Sequence, residues 1–273
     1  MKTLENRTAV VTGAAMGLGR ILSRMLLENG CRVALVDIDA AALDETRRAL
    51  AATGDAQAFA CDIAERTHVY ELAARVRAQM GPASVLVNNA GIMRAAPVTD
   101  LDDATIARMI SVNLTAQFWT VKAFLPQMLQ CGEGHVVNVA SAGGLLALPS
   151  LTAYCASKFG VVGFTDALRQ EAKRYRWPVT VTCVCPNTIN TGMFAGARMV
   201  TGTRMLAPEA VCRQILAGIK KNRTYVATPY LAVRFLTPLM KVLLPTAAMD
   251  QLNRALGMWS ANDETVGRRD RHP

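Results

Sequence analysis

Thr8–Gly19 reads TAVVTGAAMGLG: a short apolar run, a turn that contains glycine, and the first residues of a helical pattern that continues to about Asn29. An apolar run that ends in a glycine turn and leads into a helix predicts a buried strand followed by a helix packed on it. The glycines allow a tight turn and let the N–H groups of the helix N-terminus approach an anionic group without a Cβ in the way. This stretch therefore predicts the first strand and helix of an α/β sheet.

Further strand-like runs follow, and helical patterns of ten or more residues separate them. The predicted strands are Thr8–Val11, Arg32–Val36, Ala56–Cys61, Val85–Val87, His135–Val139 and Val179–Val184. The longest helical patterns cover Glu65–Met80, Asp102–Gln130 and Tyr154–Arg174. Alternating strands and helices predict a parallel sheet covered on both faces. We therefore predict an α/β fold, a Rossmann-like doubly wound parallel sheet in a single domain.

Length and composition indicate the number of domains and the cellular compartment of the protein. With 51% apolar residues, the 273-residue chain can bury a substantial core without splitting into domains. We expect residues 1–228 to form a dinucleotide-binding catalytic domain, on which a C-terminal extension, residues 229–273, packs. No run of about eighteen apolar residues occurs, and Met1–Thr8 carries charges where a signal peptide is apolar. A cytoplasmic location follows as an expectation, with peripheral membrane contact left open.

The cysteines and the charges limit the classes of partner. The seven cysteines are odd in number and scattered, which indicates reduced thiols. Cys183 and Cys185 share one face of a predicted strand, but no second Cys/His pair accompanies them, so we predict no metal site. Between Ala172 and Met249 eleven residues are basic, and the only acidic residue is Glu209. A solvated basic face is the simplest interpretation, although anionic lipid or an acidic carrier would also fit. Without an aromatic-interleaved basic motif we expect no nucleic-acid binding.

Polar or glycine clusters end every predicted strand, and in such sheets these ends meet at one ligand site. Asp37 ends the second strand, where its carboxylate can bind the ribose hydroxyls of a dinucleotide and would repel a 2′-phosphate. Met16 stands in the glycine loop instead of a base, and Asp39 adds negative charge, so NAD is favoured over NADP. The alternative for Asp37 is a helix N-cap. Asp62 and Ile63 are expected at the adenine, and an N-cap is again the alternative for Asp62.

Tyr154 and Lys158 open the long helix and lie one turn apart on one face. A tyrosine titrates near 10, so it moves protons poorly at neutral pH unless its phenolate is stabilised. We expect the Lys158 ammonium to lower the tyrosine pKa by about three pH units, equivalent to about 4 kcal/mol. Ser141, at the end of the fifth strand, is placed to orient a substrate oxygen toward the tyrosine.

Together these motifs resemble the short-chain dehydrogenase/reductase superfamily over residues 1 to about 195: Thr12–Gly19, Asn88–Gly91, Asn113, Ser141 and Tyr154-x-x-x-Lys158. The resemblance implies hydride transfer to or from a nicotinamide, with Tyr154 as acid/base. It also implies that Lys158 binds the nicotinamide ribose and that Asn113 supports a water that relays protons to Lys158. The catalytic residues would be Asn113, Ser141, Tyr154 and Lys158. The cofactor-binding residues would be Gly13, Met16, Gly17, Leu18, Gly19, Asp37, Asp62, Ile63, Asn89, Ala90, Gly91, Tyr154, Lys158, Pro186, Thr188, Ile189 and Thr191.

One departure from the pattern is Asn187, where much of the superfamily has glycine; Thr191 still matches the threonine that binds the carboxamide. Three runs are similar to one branch, which contains lipid-droplet 17β-hydroxysteroid dehydrogenases and epidermal-type retinol dehydrogenases: FWTVKAFLPQM from Phe118, AYCASKFGVVGF from Ala153 and TCVCPNTINTGMF from Thr182. Animal members of that branch begin with a membrane anchor, which we do not find here. Substrate and location therefore do not transfer with the catalytic residues. The family implies a homodimer or homotetramer.

The two segments expected to contact the substrate are apolar. Residues 188–206 and 142–151 suit a lid and a pocket for a steroid, retinoid or long-chain alcohol, or else they belong to the core or an oligomer contact. Residues 230–244 are apolar with two bases and Pro238, which favours a protein-covering role over a membrane-surface helix. A 3-oxoacyl-thioester reductase, with phosphates held by Arg94, Arg198 and Arg204, is the second functional hypothesis. A catalytically silent cofactor-binding scaffold is the third.

Overall fold

A parallel sheet runs through the centre of the protein, whose computed structural model describes residues 3–265. Its strands in chain order are β1 (Thr8–Thr12), β2 (Arg32–Asp37), β3 (Ala56–Ala60), β4 (Ala83–Asn88), β5 (Gly134–Val139), β6 (Val179–Pro186) and β7 (Tyr225–Thr228). They are hydrogen-bonded in the order β3-β2-β1-β4-β5-β6-β7, and every pair is parallel. The predicted doubly wound α/β fold is confirmed.

Helices cover both faces of the sheet. In chain order they are α1 (Gly17–Leu27), α2 (Ala40–Leu50), α3 (Arg66–Met80), α4 (Asp103–Ile110), α5 (Ala116–Gln130), α6 (Thr152–Arg174), α7 (Pro208–Lys220), α8 (Thr237–Leu243) and α9 (Thr246–Ala255). Helices α1, α2 and α7 pack on one face, where Leu22 and Ile215 are fully buried. Helices α3, α5 and α6 pack on the other, around Val76 and Phe124. The two layers explain why the central strands are apolar on both sides.

Successive residues of β1 serve the two layers alternately. Val11 packs with the α1 side of the sheet and Val10 with the α5 side, and both are fully buried. Side chains of a strand point to opposite faces in turn, so a strand between two helical layers is buried on both sides and is mostly apolar. The run TAVV therefore lacks the alternation of polar and apolar residues that a strand with one exposed face shows.

The strand β7 was not predicted from the sequence; it pairs with β6 from Cys183↔Tyr225 to Pro186↔Thr228. Four residues are too short to show a periodicity that differs from a loop, and pairing with β6 decides their conformation. The helical pattern predicted over Asp102–Gln130 forms α4 and α5, which are joined by a π-helical turn over Ser111–Thr115. Such turns occur often at functional sites.

The C-terminal segment continues from β7 through a π-helical turn, Ala232–Leu236, into α8 and α9. Backbone hydrogen bonds join it to the loop after β6: Arg198 N–H donates to Ala261 O (2.8 Å) and Thr201 N–H to Leu256 O (3.0 Å). Residues 266–273 of the expected extension lie outside the described residues. Over residues 3–265, no helix combines the length and the apolar character that crossing a bilayer requires.

Candidate active site

The carboxyl ends of β1 and β4 are clamped together. The Thr12 hydroxyl accepts hydrogen bonds from the N–H groups of Asn89 and Ala90, both at 3.0 Å. The Asn89 side-chain amide donates in return to Thr12 O (2.9 Å) and Gly13 O (3.2 Å). Because the connections from β1 and β4 leave the sheet on opposite faces, a crevice opens here, which is the usual ligand position in such sheets.

The glycine loop leaves the N-terminus of α1 uncovered. Gly13 and Gly17 have φ angles of +67° and +54°, a region that favours glycine. A Cβ on Gly19 would lie 2.0 Å from Gly13 O, so only glycine fits there. Met16 precedes the helix and gives it no side-chain cap. The first N–H groups of α1 therefore face the crevice, and the cradle fits the pyrophosphate of a dinucleotide.

Asp37 holds the glycine loop from the end of β2. Its Oδ2 accepts from Ala15 N–H (3.0 Å) and its Oδ1 from Asp39 N–H (3.2 Å). The alternative of an N-cap is wrong for Asp37, because the residue that caps α2 is Asp39, which accepts from Ala42 N–H at 3.0 Å. The carboxylate of Asp37 thus lies beside the loop, and no base follows it, since Ile38 comes next and is half exposed.

Asp62 does not cap α3, because Glu65 occupies the N-cap position of that helix. Asp62 instead accepts from Ala64 N–H (3.0 Å) and forms an ion pair with Arg108 on α4 (2.9 Å). Ile63 is buried in the cluster on the α3 side of the sheet. The expected contacts of Asp62 and Ile63 with adenine stay predictions.

Tyr154 lies at the start of α6 in an apolar cluster and is only 4% exposed. The ring of Phe194, from the loop after β6, meets it edge-on at 6.0 Å between ring centroids. Ser141 hydrogen-bonds to the tyrosine side chain, and its Oγ also accepts from Gly143 N–H at 3.0 Å. Tyr154, Ser141 and Phe194, which come from a helix and two loops, are therefore brought together.

Lys158 is buried beneath Tyr154. Its Nζ donates to Val139 O at 2.9 Å and lies 5.8 Å from the centre of the tyrosine ring. Burial lowers the pKa of Lys158 to about 8. Burial also raises the pKa of Tyr154 to about 12, although the hydrogen bond from Ser141 acts in the opposite direction. The expected lowering of the tyrosine pKa is therefore wrong: the pKa of Tyr154 is raised, and burial is the largest cause.

Asn113 lies in the π-helical turn and binds the chain after β4. Its Oδ1 accepts from Ile92 N–H (2.8 Å), and its Nδ2 donates to Ile92 O (2.9 Å) and to Ser157 Oγ (3.0 Å). A Cβ on Gly91 would lie 3.2 Å from Asn113 Oδ1 and 3.5 Å from Lys158 Nζ. Asn113 and Lys158 therefore flank the same glycine. The proton path expected between them stays a prediction.

A buried polar network behind these residues was not predicted from the sequence. Gln117 donates to the main-chain oxygen of Asn113 (3.0 Å), and Thr120 donates to Asn88 Oδ1 (2.7 Å). Asn88 donates in turn to Asn138 Oδ1 on the neighbouring strand (2.9 Å). The signal was present, since polar residues recur on the buried side of an otherwise apolar helix. Buried hydrogen-bonded networks of this kind fix one arrangement of the elements they join, although the Gln117 side-chain oxygen accepts no bond from the residues that the structure describes.

The remaining predicted cofactor residues follow β6. Pro186 is the last residue of that strand. The Asn187 Oδ1 atom accepts a hydrogen bond from the N–H of the next residue, Thr188, at 2.8 Å. Ile189 pairs with Leu206 and accepts from Thr191 N–H at 2.9 Å. The departure at Asn187 is thus accommodated by a local hydrogen bond. Contacts of Thr188 and Thr191 with a cofactor stay predictions.

The two neighbouring thiols are not part of a metal cluster in the described range. The sulfur atoms of Cys183 and Cys185 lie 3.7 Å apart and are buried. Over residues 3–265, no group of three or more His, Cys, Asp or Glu side chains is placed to hold a metal ion.

Comparison with known protein families identifies the family to which a chain with these site residues belongs. The family model for short chain dehydrogenases matches residues 7–200. The chain belongs to the short-chain dehydrogenase family. It is 36% identical to estradiol 17-beta-dehydrogenase 11 of Macaca fascicularis, over 89% of this chain and 81% of that one. It is 33% identical to retinol dehydrogenase 10-B of Danio rerio, over 94% of this chain and 83% of that one. The predicted superfamily and branch are confirmed.

Solved structures agree with the fold. A short-chain dehydrogenase/reductase from Burkholderia phymatum in complex with NAD has a TM-score of 0.81 and 26% identity, and the match covers 92% of this chain and 97% of that one. A metagenomic short-chain oxidoreductase in complex with NADP has a TM-score of 0.70 and 29% identity, over 82% and 95% of the two chains. This short-chain dehydrogenase is therefore an oxidoreductase that acts on alcohols with a nicotinamide cofactor.

Proposed function

We propose that this short-chain dehydrogenase oxidises a lipophilic alcohol, of the steroid, retinoid or long-chain class, with NAD. The observation that carries the proposal is the position of Tyr154. Its ring is enclosed by apolar side chains, including that of Phe194, while Ser141 reaches the same side chain from the end of β5. An apolar wall with a few converging polar groups favours a greasy substrate that presents one hydroxyl. The 17-beta-dehydrogenase and retinol dehydrogenase relatives support this substrate class.

In the proposed oxidation, Ser141 holds the substrate oxygen and the Tyr154 phenolate takes the hydroxyl proton. When bound, NAD supplies the nicotinamide ring that accepts the hydride from the alcohol carbon. Lys158 would hold the nicotinamide ribose, and with Asn113 it would carry the proton away from the tyrosine. Because burial raises the pKa of Tyr154 to about 12, the phenolate is scarce at neutral pH, and we expect oxidation to accelerate as the pH rises.

The choice of NAD over NADP rests on Asp37. Its carboxylate lies beside the glycine loop, where it would accept hydrogen bonds from ribose hydroxyls and repel a 2′-phosphate. We expect Asp37→Ala to weaken NAD binding about tenfold and to weaken NADP binding little or not at all. Equal losses for both cofactors would contradict the role given to the carboxylate.

The activity itself is tested with a panel of steroid, retinoid, aliphatic and acyl-thioester substrates, each with both cofactors. Tyr154→Phe should reduce turnover at least a thousandfold while NADH binding, followed by fluorescence, is retained. Tyr175→Phe is the matched control, because Tyr175 follows the C-terminus of the same helix and is exposed. Unchanged turnover in Tyr154→Phe would refute the mechanism, and activity confined to acyl thioesters would refute the substrate class.

Two observations favour this proposal over the other hypotheses. Arg198, one of the three arginines considered for holding phosphates of an acyl carrier, is ion-paired with Glu264. The silent scaffold is disfavoured because Ser141, Tyr154 and Lys158 are assembled in one site. A cytoplasmic location, peripheral membrane contact and a homodimer or homotetramer are part of the same proposal.

A further inference from the structure

Two buried thiols lie beside the active site and take no part in the proposed mechanism. Cys183 and Cys185 are 4% and 0% exposed, and their sulfur atoms lie 3.7 Å apart. They occupy alternate positions of β6, so both side chains point to the face of the sheet on which α6 packs, while Val184 between them packs on the α1 face. The thiols share their cluster with Val161, which lies one turn along α6 from Lys158.

The pairing of β5 with β6 places Cys185 behind two polar residues of the site. Val139, whose carbonyl accepts from Lys158 Nζ at 2.9 Å, is the register partner of Val184. Cys185 is the next residue of β6, and its sulfur accepts a hydrogen bond from the N–H of Ser141, just beyond the end of β5. The Cys185 sulfur therefore lies where the sheet holds both Ser141 and Lys158.

Lys158 is a buried cation that no carboxylate balances. It is 4% exposed, and none of the ion pairs within residues 3–265 includes it. Tyr154 does not supply an anion at neutral pH, because burial raises its pKa to about 12. Burial lowers the pKa of Lys158 to about 8, and the charges of Cys185 and Cys183 act in the opposite direction. Buried charges are stable only when they are paired, so a thiolate is the anion that the described residues offer to this lysine.

Of the two thiols, Cys185 is the one that its neighbours stabilise as an anion. A hydrogen bond from Cys183 is the largest cause that holds the pKa of Cys185 below its usual value. The same hydrogen bond, and then burial, raise the pKa of Cys183, so Cys183 keeps its proton and donates it. The buried Tyr225 hydroxyl has no other partner among the described residues and faces the Cys185 sulfur. Several donors and a nearby ammonium on one sulfur stabilise a thiolate.

Two further charged side chains act on this group from the surface. Asp166 on α6 acts on Cys183, but it is exposed and ion-paired within its own helix. Arg234 is also exposed, and its guanidinium lies over the ring of Tyr225 at 4.4 Å. In the part of the chain that the structure describes, Lys158 is the only buried lysine or arginine. The pairing of a buried anion with a buried cation therefore concerns Cys185 and Lys158 alone.

We propose that the Cys185 thiolate is the counter-charge that keeps Lys158 an ammonium ion, which makes Cys185 a positioning residue of this dehydrogenase. The proton that the thiol gives up is the proton that the amine holds, so no further reactant takes part. An ammonium supports the Tyr154 phenolate through its charge, whereas a neutral amine does not. This consequence for turnover deepens the proposed function and rests on it. The thiolate–ammonium pair itself does not.

Titration of the ultraviolet absorbance of thiolates tests the pair without cofactor or alcohol, so its outcome is independent of the activity. At neutral pH the wild type should contain one thiolate more than Cys185→Ser, whose hydroxyl still accepts from Ser141 N–H but does not ionise. Lys158→Met should remove the same thiolate, because the cation that stabilises it is lost. Equal thiolate signals in the wild type and in Cys185→Ser would overturn the proposal.

Cys31→Ser is the matched control. Cys31 is equally buried, but its thiol donates to Leu4 O at 3.3 Å, and burial raises its pKa to about 11. This variant should therefore keep the thiolate signal of the wild type. Thermal unfolding by circular dichroism checks that every variant is folded.

The pH profile of kcat/KM tests the effect on turnover. Loss of a neighbouring opposite charge lowers a lysine pKa by about one pH unit or more. From a pKa of about 8, such a change reduces the ammonium fraction about eightfold at about pH 8.5 and hardly at about pH 6. The ratio of kcat/KM for Cys185→Ser to that of the wild type should fall about eightfold over this range, and the ratio for Cys31→Ser should stay constant.

A structural role alone would lower the activity of Cys185→Ser by the same factor at every pH. A ratio that does not change with pH would therefore overturn the positioning role of Cys185, even if the variant were less active throughout. If no alcohol of the panel were oxidised, the proposed function would fail, and the absorbance titration would still decide whether Cys185 and Lys158 form the pair.

Discussion

Gly19→Ala tests how the glycine loop is built. A Cβ at this position would lie 2.0 Å from Gly13 O and 2.7 Å from Asn89 Nδ2, whereas such contacts are essentially never shorter than 3.0 Å. The nearest atom belongs to the backbone, so the loop or the helix must move by about 1 Å. A displacement of that size at a binding site costs about a hundredfold in activity.

The stability change is the sum of two opposing effects. Forced overpacking costs about 1–3 kcal/mol. Alanine in place of a helical glycine gains about 0.5–1 kcal/mol. We therefore expect Gly19→Ala to lower the free energy of unfolding by about 1–2 kcal/mol and to weaken NAD binding by about a hundredfold.

Gly163→Ala is the matched control, because Gly163 is also helical and a Cβ there would meet nothing within 4 Å. This variant should gain about 0.5–1 kcal/mol and bind NAD normally. Urea unfolding measures the stabilities, and quenching or transfer fluorescence with NADH measures the affinities. If Gly19→Ala bound NADH as tightly as the wild type with no loss of stability, the described loop geometry would be refuted.

Three further predictions concern other parts of the molecule. Burial lowers the pKa of His135 to about 3, so the unfolded chain binds more protons between pH 3 and 6.5, and stability falls as the pH falls through that range. His135→Gln should therefore lose about 3 kcal/mol less than the wild type on acidification to about pH 4.5, measured by urea unfolding; equal losses would contradict the burial argument. Thr12→Val removes the acceptor for two N–H groups and should cost about 2–4 kcal/mol of stability together with NAD affinity, and a loss below 1 kcal/mol would show that the clamp is unimportant. For the proposed oxidation, kcat/KM should rise with pH because the Tyr154 pKa is raised, whereas the reverse reduction should not gain; a pH-independent oxidation rate would argue against Tyr154 as the base.

Much of the fold followed from local sequence. The run TAVVT, the turn at Gly13 and the helix from Gly17 are each encoded within a few residues, so pattern alone placed them correctly. The same holds for the one-turn spacing of Tyr154 and Lys158, since helix geometry brings residues four apart to one face. The order of the motifs along the chain then indicated the family, which the comparisons confirmed.

Only the tertiary structure decided which group each polar residue meets. Asp37 and Asp39 are equally good caps by sequence, and the position of the glycine loop assigns the cap to Asp39. The strand β7 and the Asn88–Asn138 pair depend on neighbours far away in the chain, which no local pattern reports.

Tertiary structure also decided the pKa of Tyr154 and which residues of the segment 231–243 are exposed. The one-turn spacing of Tyr154 and Lys158 follows from helix geometry, but burial is the largest influence on the pKa of each. Sequence likewise showed that residues 230–244 are apolar, while the packing of Val233 decided which side faces inward. Local geometry follows from residues that are close in sequence, whereas desolvation and tertiary contacts depend on all the elements that pack around a residue.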